Sequence, residues 1–86
     1  MDIGAGFVCV DFRGNNHVVH VRLDYKVHTK GYGHHIEFTK IDTRDPRLLM
    51  RLRNPEVKRQ ILSFIINQMT GKLPPTAELT FPIDES

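Results

Sequence analysis

Residues 54–71 read NPEVKRQILSFIINQMTG, and this stretch decides the fold. Asn54 is a preferred helix N-cap, and Pro55 follows where the first helical N–H has no partner anyway. Glu56 sets a negative charge in the first turn, favoured by the helix dipole. Gly71 supplies the left-handed stop, with Lys72 beside it and Pro74-Pro75 beyond. At 100° per residue, Val57, Ile61, Leu62, Phe64, Ile65, Ile66 and Met69 spread over roughly 200°, about twice the stripe a surface helix needs. The polar strip is narrow: Arg59, Gln60, Ser63, Asn67 and Thr70. Such a helix needs cover on two sides. Apolar periodicity marks packing first; the sharper reading is a partly exposed stripe that meets a partner or a second copy. A membrane-surface helix would carry a Lys/Arg-rich polar face, which this one lacks.

Outward from that helix, Asp45-Pro46 repeats the cap-plus-proline device, and Arg47–Arg53 reads as a short helix with Leu48, Leu49 and Leu52 on one side. Upstream lie three strands. Residues 17–28, HVVHVRLDYKVH, alternate Val19, Val21, Leu23, Tyr25 and Val27 with His20, Arg22, Asp24, Lys26 and His28, the period of a half-buried antiparallel strand. Residues 5–13, AGFVCVDFR, place Val8, Val10 and Phe12 on one face and Phe7, Cys9 and Asp11 on the other, which suggests a strand buried on both sides, with Cys9 a small buried residue. Gly14-Asn15-Asn16 forms the turn between them. Residues 29–33 contain two glycines and read as a longer hairpin loop. Residues 34–42, HHIEFTKID, make the third strand; Ile41 falls out of phase with Ile36 and Phe38, so a bulge or the sheet edge is expected there. After Gly71, residues 77–83 alternate Leu79, Phe81 and Ile83; Pro82 limits them to an edge strand or a packing arm.

The expected architecture is a single α+β domain over residues 1–86: a three- to four-stranded antiparallel meander packed on one face by a C-terminal helix pair, in the order β-β-β-α-α-β. A domain of this length buries roughly 60–65% of its extended surface, so oligomerisation would add useful stability. Composition is ordinary for a globular protein, 40% hydrophobic and 26% charged. No apolar run reaches membrane-span length. The first residues, with Asp2, lack a basic signal-peptide region. Cys9 is the lone cysteine. Together these fit a reducing, cytoplasmic setting.

The net charge of +2 is unevenly placed. Residues 1–43 balance; residues 44–72 hold seven Lys/Arg against Asp45 and Glu56; the tail carries Glu78, Asp84 and Glu85. Arg44, Arg47, Arg51, Arg53 and Arg59 could hold phosphate, because a guanidinium gives two parallel hydrogen bonds. The commoner role of such a run is a solvated face that keeps a small domain soluble. A pI near 8.9 is only mildly basic, and the polar sheet face lacks the interleaved aromatics that stack on single-stranded bases.

All five histidines fall within residues 17–35. His17 and His20 are three apart and face opposite sides of a strand. His20, His28 and His35 share a face with Asp24 and Glu37, yet His20 and His28 stand about 26 Å apart along it. No metal site follows. Ser63, Ser86 and Cys9 have no nucleophile frame around them, and Lys30-Gly31-Tyr32-Gly33 lacks phosphate-loop spacing. No catalytic residue and no cofactor is expected. Gly33-His34-His35-Ile36-Glu37-Phe38, followed by Asp42 and Leu48, is similar to the last barrel strand and following helix of PilZ domains. Those domains bind cyclic di-GMP through an upstream Arg-x-x-x-Arg and a later Asp/Asn-x-Ser-x-x-Gly. Here Arg47 and Arg51 lie after the strands and the second motif does not occur, so the resemblance carries no ligand over.

The sequence therefore points to a non-enzymatic regulatory module acting through protein contact, homo-oligomeric, with Leu62, Ile66, Met69, Leu79 and Phe81 as its interface. The alternative is a nucleic-acid module using the five arginines.

Overall fold

A computed structural model describes residues 4–83. Asp2 at one end, and Asp84, Glu85 and Ser86 at the other, lie outside the described residues. The elements are β1 (Ala5–Arg13), β2 (Val18–Lys30), β3 (Gly33–Ile41), α1 (Pro46–Arg53), α2 (Pro55–Met69) and β4 (Thr80–Pro82). The first three strands form an antiparallel meander, and β4 joins its far side, giving the order β3-β2-β1-β4. The α+β architecture is as the sequence indicates, with one refinement: β4 runs parallel to β1. The cause is the helix pair. It carries the chain from the end of β3 across the sheet and returns it in the direction of β1, the crossover that parallel neighbours require.

Alternation places one face of every strand against the helices. Val8, Val10 and Phe12, then Val21, Leu23 and Tyr25, then Ile36, Phe81 and Ile83 are all buried. They meet Leu48 and Leu52 of α1 and Val57, Ile61, Phe64 and Ile65 of α2 in one core. Each such side chain contributes about 1.5–3 kcal/mol when fully buried. The second face of β1 is not buried: Phe7 is 59% exposed and Cys9 is exposed as well. With both helices on one side, nothing among the described residues covers the other.

The connections follow local chemistry. Asp45 caps α1 by accepting the Arg47 N–H at 2.9 Å, and Asn54 caps α2 by accepting the Glu56 N–H at 2.8 Å. Helix α2 ends in a Schellman turn: the Lys72 N–H donates to the Asn67 carbonyl and the Gly71 N–H to that of Gln68. Gly71, at φ 79°, provides the left-handed residue this closure needs.

The β2–β3 hairpin is tighter than its two glycines suggest. Lys30 pairs with Gly33, leaving only Gly31 and Tyr32 in the loop. Gly31 has φ 56° and Tyr32 does not share a positive φ, the pattern of a type II′ turn, whose twist matches its strands. The bulge expected near Ile41 is present: Tyr25 pairs with Phe38 and Asp24 with Lys40, so Thr39 is the extra residue. That insertion returns Ile41 to the core side, opposite Leu23. In β4, Asp11 N–H donates to the Leu79 carbonyl and Ile83 N–H to that of Arg13, so odd-numbered residues bond to β1. Pro82 falls at an outward position, where no N–H is required.

Candidate functional site

The expected interface residues separate by depth. Leu62, Ile66 and Leu79 are partly buried against the core, and Met69 is 50% exposed. Leu62, Ile66 and Met69 follow one another at helical spacing and form a single line along α2. Phe81 does not belong with them. It is 4% exposed, and its ring centroid stands 5.8 Å from that of Phe12. Because β4 is a full member of the sheet, Phe81 points inward and cannot meet a partner without opening the core.

Two of the five arginines are paired with carboxylates. Arg47 holds Asp45, with Nη2 3.1 Å from Oδ2. Arg59 grips Glu56 through two hydrogen bonds, the shorter at 2.5 Å. Arg51 is half-buried, while Arg44 and Arg53 are exposed. The bonded carboxylates titrate low. The hydrogen bond from Arg59, then that from Gln60, holds Glu56 below the ordinary glutamate value, and side-chain and backbone bonds from Arg47 do the same for Asp45.

His20, His28 and His35 lie on the uncovered sheet face, as their alternation indicates, whereas His34 takes the phase of Ile36 on the helix side. Each of two takes its own carboxylate: His20 Nδ1 stands 2.6 Å from Asp11 Oδ1, and His28 Nε2 stands 2.9 Å from Glu37 Oε1. The bond from His28 lowers the Glu37 carboxyl, and the charges of His28 and Lys26 add to it. His35 sits directly across from His28. Among the described residues no three His, Cys, Asp or Glu side chains gather as a metal cluster. No helix of the described residues is long and apolar enough to cross a membrane.

Two features of this surface were missed in the sequence. Phe7 pairs with Asp24 across β1 and β2, so it shares the charged face, and the Arg22 guanidinium lies 4.2 Å from its ring centroid. The register closed by Gly14–Asn16 was the available signal. The second is a trough beside β3, made of two open clefts of about 280 and 290 Å³. Ile36 and Lys58 line both, so the clefts lie next to each other. Nothing in the sequence says which strand becomes the edge beside the helices, and the trough depends on that.

No family model matches the chain, and no match was found among curated proteins or solved structures.

Proposed function

We propose that this chain is a non-catalytic binding module that works through protein contact and self-associates. The observation that carries this reading is the line Leu62–Ile66–Met69, which the monomer covers only in part and which ends in a half-exposed methionine. A second copy placed across a two-fold axis would set the same three residues against each other, the self-complementary contact of most homodimers. The clefts support binding over catalysis, since they are shallow grooves along elements and not enclosed cavities. The nucleic-acid alternative draws less support. Arg47 and Arg59 are already engaged with carboxylates, and Asp11, Asp24 and Glu37 dilute the cations of the sheet face.

Sedimentation velocity at micromolar concentration tests the proposal. The wild-type chain should sediment above its 9.9 kDa monomer mass, and Met69→Glu should return it to the monomer while leaving the circular dichroism spectrum unchanged. A wild-type chain that is monomeric throughout the range would remove the self-association claim.

A further inference from the structure

Strand β3 is an outer strand of the sheet. Its free side can be assigned residue by residue. The Val27 N–H donates to the Gly4 carbonyl at 2.9 Å, so the Val27 backbone points toward β1 and away from β3. Val27 pairs with Ile36, which makes this a non-hydrogen-bonded pair of the β2–β3 ladder. Ile36 therefore turns its own N–H and C=O outward. By the two-residue period, His34 and Phe38 do the same. Three consecutive outward positions are the length of edge that a short added strand uses. Proteins usually blunt such edges. Here the Thr39 bulge interrupts the ladder only beyond Phe38.

Directly beside these outward groups runs the trough between β3 and the helices. Its floor is apolar, from Ile36, Phe38, Leu49 and Leu62. Its helix wall is cationic, with Arg53, Lys58 and Arg59. The local carboxylates are otherwise occupied. Glu56 is bonded to Arg59, and Glu37 to His28 on the far face. No carboxylate among the described residues pairs with Arg53 or Lys58.

We infer that the β3 edge takes up an extended acidic peptide as a fifth strand, its main chain pairing with His34, Ile36 and Phe38. Alternate side chains of that peptide enter the trough, apolar ones over Ile36 and Phe38 and carboxylates against Lys58 and Arg53. Charge decides the occupant. A second copy joined through β3 would bring two sets of Arg53 and Lys58 together, and like charges across an interface cost several kcal/mol. The chain's own tail is held on the opposite edge by β4. The inference rests on the protein-contact reading but uses a different surface from the α2 line.

The test uses a short fluorescein-labelled peptide alternating Glu or Asp with Ile or Val. A second peptide has Lys at the acidic positions, and a third is the acidic peptide N-methylated at alternate residues. Anisotropy titrations are run on the full chain and on Met69→Glu, with amide exchange followed in parallel. The acidic peptide should bind both proteins and slow exchange at Ile36 and Phe38. The lysine and N-methylated peptides should not bind. Lys58→Glu and Arg53→Glu should each weaken binding by about tenfold or more. Failure of the acidic peptide to bind, equal binding of all three peptides, or unchanged affinity in both charge-reversed variants would overturn the inference. So would protection of Ile36 and Phe38 that rises with protein concentration alone, since a second copy would then hold the edge. Peptide binding by Met69→Glu separates the two claims, because loss of self-association leaves the β3 edge intact.

Discussion

At the scale of single residues, the charged contacts of this chain lie at the surface and show themselves through pH. Glu56 is held below its ordinary value of 4.5 by the hydrogen bonds from Arg59 and Gln60. Glu37 is lowered chiefly by His28, and Asp45, from 3.8, chiefly by Arg47. A carboxyl whose pKa is depressed on folding binds protons more readily when unfolded. Its stabilisation is complete above the unfolded value and disappears as pH falls through the folded one. Stability should therefore decline from about pH 4.5 downward, and more steeply as Asp45 joins below 3.8. Urea midpoints measured across this range check it. Glu56→Gln should flatten the upper part of the decline. An acid limb identical in the two proteins would show that the Glu56–Arg59 contact contributes nothing in solution, a common fate of exposed pairs.

At the scale of elements, Asn54 is the single residue between two helices. It terminates α1, donating its backbone N–H to the Arg51 carbonyl, and its side chain opens α2. Asn54→Ala removes the cap and should cost about 1 kcal/mol, lowering Tm by about 4–8 °C for a domain of this size. Asn54→Asp should retain most of that stability, and an unchanged Tm in the alanine variant would show that tertiary contacts alone fix the start of α2. Both helix starts were legible because a cap followed by proline is local chemistry written in adjacent residues. The Thr39 bulge was legible in part, since Ile41 out of phase calls for either an insertion or the sheet edge, and β3 has both. The two-residue hairpin was not: Gly31 and Gly33 mark a turn, yet strand pairing fixes its length. The exposure of Phe7 and Cys9 was hidden too. An apolar residue on each side of a strand reads as burial, and only the placement of both helices on one face shows otherwise.

At the scale of the whole molecule, one residue of the expected interface, Phe81, shows how the fold closes. Phe81 reads as part of an edge strand or packing arm that could meet a partner, but the crossover through α1 and α2 delivers it to β1, where it packs on Phe12. Which edge a final strand joins is a long-range choice that no local pattern records. The three-residue β4 therefore holds the last part of the core in place, with Phe81 and Ile83 both buried. Removing a buried phenylalanine costs about 3–5 kcal/mol. At about 0.05–0.15 kcal/mol per residue, a chain of 86 residues has only about 4–13 kcal/mol in total. Phe81→Ala should thus cut the urea midpoint severely. It should also speed amide exchange in β1, β2 and β3 together, since one core unfolds as one unit. Phe81→Leu should recover much of the loss. If exchange in Phe81→Ala quickened only from Leu79 to Ile83, with β1 to β3 unchanged, β4 would be a detachable arm. The first three strands and two helices would then close their core without it.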